Sequence, residues 1–85
     1  MIIVYHKEFK KNYKKSSPKI KQKVEERIRL FETEEFNPVL NNHALNGKWL
    51  GYRSINMTGD LRAIFKRDAH RVLFVAIDNH SNLYR

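Results

Sequence analysis

The chain has 85 residues, 17 Lys and Arg against 9 Asp and Glu, no cysteine and a net charge of +8. That length is expected to hold one domain, residues 1–85, around a single core, and the absent cysteines exclude a disulfide scaffold or a thiolate metal site and fit a reducing cytoplasm. No apolar run nears the roughly 20 residues that cross a bilayer, and the apolar N-terminus lacks the basic lead of a signal peptide.

Ile2, Ile3, Val4 and Tyr5 form a β-branched and aromatic run that reads as a buried strand. Phe9 and Tyr13, four apart among lysines, predict a short amphipathic helix over residues 7–15. Ser17-Pro18 marks a second helix start, with Ser17 as N-cap and Pro18 at the first helical position. Ile20, Val24, Ile28 and Phe31 then make an apolar stripe, and the helix is expected to end near Glu35, ahead of Pro38. Residues 37–47 read as loop. Trp49–Met57 and Asp60–Arg67 read as strands around a two-residue Thr58-Gly59 turn. Asp68-Ala69-His70 is a further turn, and Arg71–Ile77 a last strand. The order β-α-α-β-β-β predicts an α+β fold: an antiparallel sheet of the last three strands with the first strand added, and two helices packed on one face.

With Thr58-Gly59 as the turn, Met57 faces Asp60, Ile55 faces Arg62 and Arg53 faces Ile64. Those six residues then share one face, and Tyr52, Ser54, Asn56, Leu61, Ala63 and Phe65 share the other. The second set is the more apolar in its pairs and is assigned to the helix-covered core. Arg53, Arg62 and Asp60 are thereby expected on an open face, as a basic platform or as ordinary solvated charges. A one-residue slip would invert this assignment.

Ten of the basic residues and three of the acidic lie within residues 1–31. A balance of this kind suits a polyanionic partner, a nucleic acid or an acidic protein, although lysine-rich helix faces also serve solubility. Nothing in the sequence supports a metal site or a phosphate-cradling loop: Cys-x-x-Cys, His-x-x-x-His and Gly-rich motifs are all missing. Four histidines remain, with Asp, Arg and Tyr near the sheet. That set can cleave RNA without a metal, since the 2′-hydroxyl attacks its own phosphorus. The reaction requires a base for that hydroxyl, an acid for the leaving 5′-oxygen and cations for the phosphate charge. His43 precedes the sheet and His80 follows its last strand, where loop residues carry chemistry. Helix-cap and turn roles account for His6 and His70.

Four segments occur in order: Asn42-His43-Ala44-Leu45-Asn46-Gly47-Lys48-Trp49, Gly51-Tyr52-Arg53-Ser54-Ile55-Asn56, Gly59-Asp60-Leu61-Arg62-Ala63-Ile64-Phe65-Lys66, and His80-Ser81-Asn82-Leu83-Tyr84. Together they resemble the RelE/YafQ family of bacterial toxin endoribonucleases over residues 41–85. The resemblance implies a type II toxin that cuts mRNA in the A site of the 70S ribosome, in the cytoplasm, with no metal or other cofactor and no membrane partner. It also implies an antitoxin that wraps and neutralises the domain. By position, His43 and His80 match the family's histidines, with His80 favoured as general acid and His43 as base. Asp60 would orient a histidine or assist proton transfer. Arg62 would stabilise the phosphorane-like charge, and Tyr84 would stack on a base or position the 2′-hydroxyl. Lys10, Lys11, Lys14 and Lys15 are then candidates for rRNA contact, with Lys48 and Arg53 also assigned to RNA. The chain departs from the family at Asn56 (a histidine in YafQ-like members), Leu61 (a tryptophan) and Ala44 (a proline), and Asp78-Asn79 puts an acidic residue near His80. A ParE-like gyrase-inhibiting toxin of the same fold and a non-catalytic basic RNA-binding module are the alternatives.

Overall fold

A computed structural model of the chain describes residues 1–84. Strand β1 (Ile2–Tyr5) leads into helices α1 (Lys7–Lys15) and α2 (Pro18–Thr33). Each helix start is capped by a side chain. His6 Nδ1 accepts from the Glu8 amide at 3.2 Å, and the Ser17 hydroxyl accepts from the Ile20 amide at 3.2 Å. Both caps satisfy an amide that helix geometry leaves unpaired. Helix α2 stops at Thr33 rather than near Glu35, because Glu34 leaves helical geometry at φ −143°. A 3-10 turn at Pro38–Leu40 follows, then β2 (His43–Ala44), a second 3-10 turn at Gly47–Trp49, β3 (Arg53–Asn56), β4 (Leu61–Asp68), β5 (Arg71–Asn79) and the helical turn α3 (His80–Leu83).

The five strands form one sheet in the order β1-β5-β4-β3-β2. Neighbours are antiparallel except β1 and β5, which run parallel: the last three strands are antiparallel as expected, and the first strand is added at their edge in the parallel sense. The parallel alignment sets Tyr5 beside Phe74, and the His6 amide donates to the Phe74 carbonyl at 2.9 Å. Helix α1 is thereby launched over the core, where the Phe9 and Phe74 rings lie 5.7 Å apart. An antiparallel β1 would have released α1 at the far end of the sheet.

The β3–β4 register corrects the sequence reading by one residue. Ile55 faces Ala63, Asn56 faces Arg62 and Arg53 faces Phe65. The loop has three residues, not two: the Met57 amide donates to the Leu61 carbonyl at 2.9 Å, and the Thr58 hydroxyl accepts from the Leu61 amide at 3.0 Å. The slip gathers Ile55, Met57, Ala63 and Phe65, all fully buried, on the helix-covered face. Tyr52 and Ser54 move to the opposite face. The first strand of the pair is also shorter than expected, because the chain coils at Gly47–Trp49 and turns at Gly51, whose φ of +92° only glycine adopts without strain.

Phe31, Phe65 and Phe74 form the centre of the core, with ring centroids 5.0 to 5.5 Å apart. Val24 and Ile28 of α2 and Phe9 of α1 close over them, so both helices cover one face as expected. A bulge in β5 opposite Ile64 and Phe65 puts Phe74 and Ile77 on this same face although they are an odd number of residues apart. Among the described residues no helix is long and apolar enough to cross a membrane.

Tyr5 lies at the rim of the core, its ring 5.0 Å from Phe9 and 5.9 Å from Phe74. Burial, then the nearby Glu32 carboxylate, then Tyr13, raise its phenol above the ordinary value. The fold therefore holds the neutral phenol better than the unfolded chain does. Its contribution is fully present below about pH 10, the unfolded value, and is lost as pH rises through the folded value. Ultraviolet difference titration should show a late-ionising tyrosine, with the denaturation midpoint falling over the same interval. Tyr5→Phe should flatten that fall.

Candidate active site

The sheet face away from α1 and α2 is built by register. His43 pairs with Ser54, Ser54 with Ile64 and Ile64 with Ala76, so these four share a row. The next row on the same face is Asn56, Arg62 and Asp78. One face therefore carries His43, Asn56, Arg62 and Asp78. The two-residue turn expected from the sequence puts Asn56 on the opposite face. The observed register brings it beside Arg62.

A second, smaller apolar cluster roofs part of this face: Leu45, Ile64 and Leu83 are buried, with Trp49, Tyr52, Ala76 and Tyr84 packed against them. It holds α3 in place. The Asn79 side chain caps α3 by accepting from the Asn82 amide at 2.8 Å. Asp78 braces the same turn, its Oδ1 accepting from the Asn79 amide at 2.8 Å and from Asn82 Nδ2 at 3.1 Å. The acidic residue expected near His80 is thus engaged by the backbone and by Asn82.

His80 opens α3 and is exposed, and its amide donates to the Asp60 carbonyl at 3.2 Å. Its ring lies 4.6 Å from that of Tyr84, tilted by 54°. Asp60 therefore meets His80 through its backbone, while its side chain is in solvent. Arg62, half-buried, donates from Nη1 to the carbonyls of Thr58 at 3.2 Å, Gly59 at 3.1 Å and Leu61 at 3.4 Å. A guanidinium has five N–H donors, and all three of these contacts run through Nη1.

His43 is exposed at the start of β2, and its Nδ1 lies 2.8 Å from the Asn41 carbonyl. A carbonyl only accepts, so Nδ1 carries the hydrogen and Nε2 is the basic nitrogen. Nothing local in the sequence announces this tautomer. It depends on Asn41 taking the left-handed conformation at φ +47°.

Arg53 is not on the open face. It pairs with Phe65 on the helix side, donates from Nε to Asn42 Oδ1 at 2.8 Å and stacks its guanidinium 5.8 Å above the Phe36 ring. There it straps the loop that precedes β2. The α1 lysines Lys10, Lys11, Lys14 and Lys15 are exposed, on the layer opposite His43. Lys15 also lines a pocket of about 240 Å³ with Asn12, Leu61 and Asp78, at the sheet end where α3 begins. Lys48 is exposed on the 3-10 turn at Gly47–Trp49. Among the described residues no three His, Asp or Glu side chains converge as a metal-holding group. A groove of about 400 Å³ between α1 and α2 is lined by Lys10 with Tyr5, Phe9 and Tyr13, and by none of His43, Arg62 or His80. Sequence reasoning missed Trp49, whose Nε1 donates to the Leu83 carbonyl at 2.9 Å across 34 positions, a distance no local pattern reports.

A family model described as a bacterial toxin of type II toxin–antitoxin systems, YafQ, matches residues 1–85. The crystal structure of YafQ from E. coli strain BL21(DE3) superposes with a TM-score of 0.82 at 22% identity, covering 98% of this chain and 97% of that one. The toxin of the E. coli DinJ-YafQ toxin–antitoxin complex gives 0.80 at 24%, covering 98% and 96%. A YoeB/ParE toxin from Agrobacterium tumefaciens gives 0.77 at 19%, covering 94% and 99%. No curated protein matches the sequence significantly.

Proposed function

Since the chain belongs to the YafQ family of type II toxin–antitoxin toxins, we propose that it is a ribosome-dependent endoribonuclease that cleaves mRNA in the A site of the 70S ribosome and so stops translation in the cytoplasm. The observation that carries the reading is the shared sheet face: His43 and Arg62 by register, with the His80–Tyr84 ring pair at its end.

On this reading His43 Nε2 takes the proton of the 2′-hydroxyl. The freed oxygen attacks the adjacent phosphorus, and the bond from phosphorus to the 5′-oxygen breaks. Protonated His80 gives its proton to that oxygen, leaving a 2′,3′-cyclic phosphate and a 5′-hydroxyl. No metal enters the scheme. Arg62 faces the charge that grows on the phosphoryl oxygens, where a guanidinium fork is best matched. Tyr84 holds the His80 ring and offers a face to a base. Asp60 fixes the start of α3 through its carbonyl. Lys10, Lys11, Lys14, Lys15 and Lys48 supply salt-sensitive contacts to rRNA.

The E. coli DinJ-YafQ complex joins that toxin to an antitoxin, and a cognate antitoxin is proposed for this chain on the same grounds. Co-expression of such a partner should restore growth to cells arrested by the toxin.

Arg62→Ala should lower the single-turnover cleavage rate on programmed ribosomes by about 10²-fold, the scale for removing one preorganised charge from a transition state. Arg62→Lys should recover only part of it. Losing the Nη1 contacts to the β3–β4 loop should cost about 1 kcal/mol in chemical denaturation, so a folded variant remains to be assayed. An unchanged cleavage rate would remove Arg62 from the mechanism. Gyrase-dependent DNA damage with intact mRNA would instead favour a ParE-like toxin, and salt-sensitive binding that survives loss of both histidines a non-catalytic RNA-binding module.

A further inference from the structure

Trp49 has no part in the proton transfers, yet its side chain both packs on and hydrogen-bonds to the C-terminal turn. Helix α3 has only four residues. An isolated turn that short does not hold itself, because nucleation is unfavourable before further hydrogen bonds accrue. Its first turn is secured by Asn79 and Asp78. At its other end the Leu83 carbonyl accepts the Trp49 indole N–H at 2.9 Å. The Leu83 side chain is buried beside Leu45 and Ile64, and the Trp49 ring packs on the same cluster, edge-on to Tyr52 at 5.4 Å. The residue after that carbonyl is Tyr84, whose amide closes on the His80 carbonyl at 3.2 Å and whose ring meets the His80 ring.

We infer that Trp49 is a positioning residue: its indole N–H anchors the Leu83 carbonyl and thereby fixes the His80–Tyr84 ring pair over the end of the sheet. The inference rests on the nuclease reading for its kinetic consequence but not for its structural one. Without the bond, the carbonyl is released to water, the last turn of α3 frays, and Tyr84 carries its ring away from His80. Packing alone would not do this, since phenylalanine fills most of the same space without a donor.

Two nuclear magnetic resonance measurements on the free protein test it. In the wild type the Trp49 indole proton should exchange with solvent at least about tenfold more slowly than a free indole, as a hydrogen-bonded donor does. In Trp49→Phe the cross-peaks between the His80 and Tyr84 ring protons should weaken or vanish. On programmed ribosomes the same variant should lose about tenfold to a hundredfold in kcat, the scale for a misplaced catalytic group, with KM within about twofold. An indole proton that exchanges at the free rate, or a folded Trp49→Phe with undiminished cross-peaks, would overturn the inference. If Trp49→Phe fails to fold, the wild-type exchange rate decides the matter. If wild-type protein leaves mRNA intact, the nuclease reading falls while the cross-peaks still decide whether Trp49 positions α3.

Discussion

His80→Ala should lower the rate of mRNA cleavage by about 10²- to 10⁴-fold, the range for losing a general acid, while the protein stays folded. The imidazole is exposed, and α3 is held by the His80 backbone amide, the Asn79 cap and the buried Leu83 side chain, none of which the substitution removes. The melting temperature should therefore change little. Single-turnover cleavage on programmed ribosomes beside a thermal melt separates the two effects. Cells expressing the variant should keep growing at a level of protein that arrests them when wild type is made. The residual rate would come from Arg62 and from substrate positioning, which survive in the variant.

Phe74→Ala is the substitution expected to cost the most stability. Phe74 is fully buried in a strand flanked on both sides, and its ring meets those of Tyr5, Phe9, Phe31 and Phe65 at 5.9, 5.7, 5.5 and 5.3 Å. Truncating such a side chain removes buried apolar surface and leaves a cavity between two layers that cannot close, a loss of about 3–5 kcal/mol. Small domains have only about 5–15 kcal/mol in all, and at this size the lower end applies. The midpoint of urea unfolding should drop steeply with an unchanged slope. Toxicity should disappear because folded protein is scarce, not because chemistry is lost. Phe36→Ala is the contrast, since that ring is 67% exposed and its loss should scarcely move the midpoint.

Much of the first half of the fold was legible because its signals are local. The Ser17-Pro18 start of α2 and its Ile20, Val24, Ile28, Phe31 stripe are written within one helix, and helix period and capping follow from backbone geometry alone. The β3–β4 register was not read correctly, although the clue was present. Ile55 and Met57 are the apolar alternates of their strand, and only a three-residue loop sets them beside Ala63 and Phe65. Here the shortest turn and the best apolar match disagree, and the apolar match decides which way the strand faces. Arg53 was misplaced with it, and a residue assigned to RNA is found strapping Asn42 and Phe36. The parallel pairing of β1 with β5 joins opposite ends of the chain, which no local pattern encodes.

The site divides in the same way. His43, Asp60, Arg62, His80 and Tyr84 were singled out by a motif resemblance. Where each of them falls on the sheet depends on register and on a tertiary roof that the sequence does not spell out. Asn56 illustrates the difference: its place beside Arg62 emerges only with the three-residue loop. Trp49 is the converse, a residue visible in the motif whose use appears only when Leu83 folds back onto it.

Toeprinting of an mRNA on programmed 70S ribosomes, with wild type beside His80→Ala, tests the central claim most directly. Wild type should create a new primer-extension stop within the A-site codon, in the absence of added metal beyond what the ribosome requires, and His80→Ala should leave the message intact under the same conditions. Full-length message with both proteins, or equal cleavage by both, would contradict an endoribonuclease built on this sheet face.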